Sequence, residues 1–387
     1  MSRPAPEPLH VRGGSGPGSV RFTPPFRCHS RPVSENGSGF VSERLTFDTV
    51  PDLIETEEQL EELVSRPTQG LVDDFATLDG DIIVLGVAGK VGPSLARMAK
   101  RAAPDKRVIG VARFSEAGSK EELEGFGIET IRCDLLDADA VAQLPKVKNV
   151  VYMAGKKFGT NDDPSFAWAM NTMVPATVAS HFRDSRIVAF STLCVYPFGV
   201  VAHNGWDERV QPRPVGDYAN SCVGRERAFE YGSHVHGTPG RLARLNYAID
   251  LRYGVLHDIA SWVHRGEPIP IRTGHASVIW QGDSNAQILR CLKHCTVPTS
   301  PINIGGPEQA SVRAIAHAFG EKFGKAPIFE GEEEPTGWIN STYQAQRLFG
   351  YPNVPLARMI DWVAHWVEKG GAIYGKPTRY EVRDGLF

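Results

Sequence analysis

Two hydroxyls and a thiol in this chain stand where acid–base chemistry could use them: Thr192, Tyr218 and Cys222. Tyr218 opens the run Tyr218-Ala-Asn-Ser-Cys222-Val-Gly-Arg225, and in a helix that spacing sets Tyr218 and Arg225 on one face. An unperturbed phenol has a pKa of about 10, so it works as a base near neutrality only beside a cation. A thiol is neutral or anionic and cannot be that cation. Each pKa unit is worth about 1.4 kcal/mol, so the source of charge matters. Arg225 is one candidate; Lys156 and Lys157, which follow the apolar run Asn149–Met153, are others.

A second group of residues suits a phosphate. Asp81-Ile-Ile-Val-Leu-Gly86-Val-Ala-Gly89-Lys90-Val91-Gly92-Pro-Ser-Leu-Ala-Arg97 reads as a buried strand, a glycine turn and an amphipathic helix. The first glycine permits the tight turn, the second lets a pyrophosphate approach the backbone, and the third allows close helix packing. Free N–H groups at the helix start then face the phosphate charge. The next apolar run ends in Ala112-Arg113 and carries no terminal acid for a ribose 2′-hydroxyl. An arginine there suits a 2′-phosphate, which favours NADP over NAD; the alternative is a solvated surface arginine.

These residues need a scaffold, and the chain supplies one. Short Ile- and Val-rich runs (Ile82–Leu85, Arg107–Val111, Glu129–Arg132, Asn149–Met153, Arg186–Phe190) alternate with helical patterns (Pro93–Ala102, Lys120–Phe126, Ala138–Leu144, Phe166–Phe182). Strands buried on both faces with helices between them predict a Rossmann-type, doubly wound parallel sheet. The α/β domain is expected over 80–245. Lead-in helices over 46–79 precede it, and a smaller, mainly substrate-binding domain over 246–370 follows, with a strand near 302–306 returning to the sheet. Residues 371–387 read as a tail. Residues 1–45, rich in Gly, Pro, Ser and Arg, lack any sustained period and are expected to be a disordered extension.

The glycine spacing GxxGxxG and the segments downstream resemble the extended short-chain dehydrogenase/reductase family, the NAD-dependent epimerase/dehydratase type. Cys133-Asp134-Leu135, Tyr152-Met-Ala154-Gly155, Asn171, Ser191-Thr192-Leu-Cys-Val-Tyr196-Pro, Arg244-Leu-Asn246-Tyr247 and Asn303-Ile-Gly305-Gly306 fall in family order over roughly 80–368. The resemblance implies that Asp134 and Leu135 lie near the adenine and that Ala154 and Gly155 lie at the nicotinamide side. It makes Tyr218 the acid/base and Thr192 an orienting donor that also meets substrate, and it makes Asn246 a substrate contact. Arg252 is a further candidate, for a nucleotide-sugar phosphate. Where the family has a lysine four residues after the tyrosine, this chain has Cys222. Three readings stay open: another cation substitutes, Cys222 takes part in altered chemistry, or hydride transfer is lost and a cofactor-binding sensor or scaffold remains.

Composition narrows the partners. The chain of 387 residues is 41% hydrophobic and 22% charged with a net charge of −3, which gives no electrostatic reason to expect nucleic acid or an anionic membrane. No apolar run reaches a membrane span, and six cysteines without a CxxC pair point to reduced thiols in a cytoplasmic protein. No metal site is expected. The acidic run Glu330–Glu334 reads as a solvated loop, and Cys291, His294 and Cys295 offer too few ligands. The expected partner is a small molecule, a nucleotide sugar among the choices, with a homodimer left open.

Overall fold

The computed structural model describes residues 43–376 and 378–386. Most of the expected N-terminal extension lies outside the described residues. Its last residues are not extension at all, because Leu45 is buried and its N–H donates to the Pro67 carbonyl at 2.9 Å.

Seven strands form one sheet: β1 (Ile82–Leu85), β2 (Val108–Ala112), β3 (Glu129–Arg132), β4 (Asn149–Tyr152), β5 (Arg186–Thr192), β6 (Gly240–Leu245) and β7 (Ser300–Ile304). The order is β3-β2-β1-β4-β5-β6-β7 and every pairing is parallel. The strand order reverses between β1 and β4, and a ligand crevice forms beyond the carboxyl ends of the strands at such a reversal. Helices cover both faces, so β1, β2 and β4 are buried along their whole length.

The segments between strands keep their expected kind, with one break. The helix expected over Phe166–Phe182 is split into Pro164–Trp168, a single π turn Ala169–Met173 and Val174–His181. Pro175 has no N–H to give the Asn171 carbonyl, so the regular ladder fails there and the wider turn takes its place. The effect is local but useful, because the buried Asn171 sits in that turn.

One helix, α1 (Gly216–His236), is buried at Ala219, Cys222, Arg225, Glu226, Phe229 and Ser233, a three-and-four spacing that gives one inward face. Its buried carboxylate, Glu226, accepts from Ser191 Oγ at 2.6 Å and from Arg244 Nε and Nη2 at 2.8 and 2.7 Å. Arg244 also donates to the Tyr196 hydroxyl at 2.7 Å, and that hydroxyl donates to Asn303 Oδ1 at 3.0 Å. A closed chain of polar groups thus ties the helix to β5, β6 and β7.

Beyond the sheet, the helices Val255–Arg265, Val312–Phe323 and Leu356–Glu368 pack with Trp280, Trp362 and Trp366 into a second core. The last residues belong to this unit. Tyr380 and Thr378 are buried, and the Arg383 guanidinium donates to the Thr336 carbonyl and hydroxyl. No helix among the described residues is long and apolar enough to cross a membrane.

Removing the carboxylate by Glu226→Ala leaves the Arg244 guanidinium buried without its counter-ion. Urea unfolding should show a loss of about 3–5 kcal/mol. A loss under about 1 kcal/mol would mean the network does not hold the helix to the sheet.

Candidate active site

The glycine turn does two mechanical jobs. Gly86 has φ +93°, and a Cβ there would lie 2.7 Å from the Ala154 backbone nitrogen, so the turn and the end of β4 touch only because Gly86 has no side chain. At Gly92 a Cβ would lie 2.0 Å from the Val87 carbonyl oxygen, which seats the helix Gly92–Ala102 against the turn. Gly89 differs: a Cβ there would meet nothing nearer than the Gly86 carbonyl oxygen at 3.5 Å. Its N–H is spent on the Gly86 carbonyl at 3.2 Å, and the open room at its Cα lets a pyrophosphate approach the turn. The residues present therefore fit a dinucleotide.

Next to the turn, a cavity of about 290 Å³ runs over the ends of β4, β5 and β6. Lys90, Val91, Gly155, Thr192, Tyr218, Arg225 and Asn246, all singled out in the sequence, line it. Thr192 ends β5 and its hydroxyl accepts the Cys194 N–H at 3.2 Å. Tyr218 comes from the first turn of α1, and its phenol shares a hydrogen bond with Thr192. Cys222 is fully buried one turn further along and is within hydrogen-bonding reach of the Tyr218 phenol. Burial pushes the Tyr218 phenol well above its ordinary value; the Arg225 charge and the Thr192 hydrogen bond pull against it. Burial likewise raises the Cys222 thiol, so that it is uncharged at neutral pH.

Side chains on a helix lean towards its N-terminus, so Arg225 reaches back over the turn that holds Cys222. Its guanidinium donates to the Phe190 carbonyl at 2.9 Å and to Asn171 Oδ1 at 2.7 Å. A Cβ on Gly155 would lie 2.4 Å from Arg225 Nη2, so the strand end comes this close only as glycine. Asn171 is the hub of this corner: it also accepts the Lys156 N–H and donates to the Lys156 carbonyl and to Ser221 Oγ. Lys157 brings a second cation, with its ammonium 5.9 Å from the Tyr218 ring centre and 3.4 Å from the Thr378 carbonyl. Burial lowers the pKa of that ammonium, while the nearby Cys194 and Cys222 act to raise it.

Other expected residues fall outside the cavity wall. Arg113 is exposed just past β2, Asp134 is exposed past β3 with its carboxylate accepting the Leu136 N–H, and Leu135 is buried beside it. Arg252 is not in this lining: its guanidinium makes a two-point pair with Asp250 and meets Glu61 at 2.6 Å. Asn246 lines the cavity but spends its amide on Asn340 and its oxygen on the Tyr247 N–H. Sequence reasoning did not single out Tyr253, Tyr374 and Thr378, which also line the cavity. The last two lie in what reads as a tail, and no local motif marks them.

Among the described residues no group of three or more His, Cys, Asp or Glu side chains could hold a metal ion.

Residues 82–245 match the model of the NAD dependent epimerase/dehydratase family. No curated protein sequence matches the chain. Among solved structures, the UDP-glucose 4-epimerase of Thermus thermophilus, in complex with NAD, is 19% identical with a TM-score of 0.60, covering 74% of this chain and 98% of its own. A UDP-glucuronic acid 4-epimerase variant from Bacillus cereus is 21% identical with a TM-score of 0.61, covering 75% and 99%. The dTDP-glucose 4,6-dehydratase of Streptomyces venezuelae is 19% identical with a TM-score of 0.62, covering 75% and 97%. At these identities the likeness is one of fold.

Two glycine substitutions separate packing from binding. Gly89→Ala should keep the fold, with a melting temperature within about 2 °C of wild type, yet weaken NAD(P)H binding in a fluorescence titration. Gly92→Ala should unfold several degrees lower, because its methyl group meets a carbonyl oxygen. Equal behaviour of the two would remove the Gly89 assignment.

Proposed function

From the match of residues 82–245 to the NAD dependent epimerase/dehydratase family model, we propose that the chain is of that family, binds NAD(P) and oxidises or reduces a hydroxylated, sugar-like substrate, as an epimerase, dehydratase or reductase. What carries the reading is one convergence: the Thr192–Tyr218 hydroxyl pair and two cations, Arg225 and Lys157, line the same cavity as Lys90 and Val91 of the glycine turn. The bound nicotinamide would supply or accept the hydride. The open room at the Gly89 Cα would admit the pyrophosphate, with Asp134 and Leu135 at the adenine and Ala154 and Gly155 at the nicotinamide side. Arg113, exposed at the end of β2, favours the 2′-phosphate of NADP over NAD. The solved relatives described above that name a dinucleotide contain NAD, which keeps NAD as the second choice.

Tyr218 is the proton-handling group of this reading. With its phenol protonated at neutral pH, it donates to a substrate carbonyl oxygen as that oxygen becomes a hydroxyl, and Thr192 orients the same oxygen. In the reverse direction the phenol recovers the proton. The positive charges that steady the transient phenolate are Arg225 and Lys157, since the position one turn after Tyr218 holds a thiol. Asn246 lines the substrate side of the cavity.

A second reading is favoured by the partners of Arg225. Its hydrogen bonds go to Phe190 and Asn171, so its charge is used to hold strand ends together. A protein that binds NAD(P) without hydride transfer, as a sensor or scaffold, is consistent with that use.

Titration with NADP and NAD, followed by nicotinamide absorbance over a panel of sugars, sugar acids, sugar phosphates and nucleotide sugars, separates the two. Turnover on any member should fall at least about 100-fold in Tyr218→Phe with cofactor affinity retained. Cofactor binding with no redox change across the panel would favour the sensor. A Tyr218→Phe variant as active as wild type would remove Tyr218 from the chemistry.

A further inference from the structure

The polar atoms on the substrate side of the cavity do not balance. Lys90 Nζ and the Tyr247 hydroxyl are shielded from water and have no hydrogen-bond partner, and both residues line the cavity. Lys90 leaves the glycine turn and crosses to the substrate side. There its ammonium lies 3.4 Å from the Tyr253 ring centre and 4.9 Å from that of Phe158. Aromatic faces attract a cation but do not neutralise it. Burial first, then Lys376 and Lys157, pull the Lys90 amine down to about 8, while Asp258 and Asp250 act in the opposite sense. Neither carboxylate is a hydrogen-bonding partner of Lys90. Asp250 is engaged by Arg252, and Asp258 Oδ2 accepts the Thr378 N–H and hydroxyl. A shielded cation among further cations is costly unless an anion completes it.

The cofactor is the less suitable anion. A pyrophosphate at a glycine turn is held by backbone N–H groups, whereas the Lys90 ammonium lies over the Tyr253 ring. Tyr374 and Thr378 help to wall the cavity.

We propose that Lys90, together with the Tyr247 hydroxyl of the same cavity, anchors a carboxylate or phosphate monoester of the substrate, so that the enzyme acts on a sugar acid or sugar phosphate. This rests on the dinucleotide reading, and the test keeps the two apart. Full-length protein, with and without saturating NAD(P), is titrated calorimetrically with galacturonate, galactose 6-phosphate, oxalate, inorganic phosphate, neutral galactose and UDP-galactose. At least one carboxylate or phosphate probe should bind, and the better class identifies the anion; galactose should not bind. In Lys90→Met that affinity should fall at least about tenfold with NAD(P) affinity unchanged. The variant should also melt no lower than wild type, because an uncompensated cation has been removed from an aromatic setting. Lys90→Arg should retain anion binding. No anion binding by the wild type in either state overturns the proposal. So does a Lys90→Met variant that loses NAD(P) instead, or tight UDP-galactose binding that survives Lys90→Met. Failure to bind NAD(P) at all, with anion binding intact, would overturn only the dinucleotide reading.

Discussion

A single buried carboxylate, Glu226, sets the geometry on which this site depends. It accepts from Ser191 on β5 and from Arg244 on β6 while standing on the helix that carries Tyr218 two turns earlier. Ser191 precedes Thr192, and Arg244 is two residues before Asn246. The ion pair therefore holds three contributors to the cavity through one point. Buried pairs are weak sources of net stability but strong sources of position, since any slip of the helix by one residue would strand two opposite charges out of water. The Tyr218–Thr192 contact follows from that lock.

On the same helix, the position one turn after Tyr218 carries no charge. At Cys222 the fold accepts a small neutral group, fully buried between Tyr218 and the sheet. The positive charge arrives from two other directions, Arg225 from one turn further along and Lys157 from the loop after β4. The two differ in what holds them. Arg225 donates to Phe190 and Asn171 within the sheet domain; Lys157 donates to the Thr378 carbonyl in the C-terminal segment.

What could be read from the sequence divides along physical lines. The β1–turn–helix unit was legible because glycine sterics and strand hydrophobicity are local, and β1 and β3 fall on the expected residues. The break in the helix before His181 was not, although Pro175 was its visible cause, because a π turn competes with a kink and a stop. Arg252 looked available for a ligand because its partners, Asp250 nearby and Glu61 far off in sequence, form a pair only after folding. The outer wall was least legible. Tyr374 and Thr378 follow the last helix without any period, and their contacts with Arg252 and Asp258 span more than a hundred residues.

Those long-range contacts change the meaning of the glycine turn as well. In sequence, Lys90 is one residue of the turn between Gly89 and Gly92 and is expected at the cofactor. In the structure the Lys90 ammonium lies near the Tyr253 and Phe158 rings, while Lys90 and Val91 line the cavity next to the turn. A single residue can thus join the dinucleotide turn to the substrate side because its backbone and its side-chain tip are separated by a flexible four-carbon stem. Tyr374 and Thr378 of the C-terminal segment line the same cavity as that shielded tip, so its wall joins residues from both ends of the described fold.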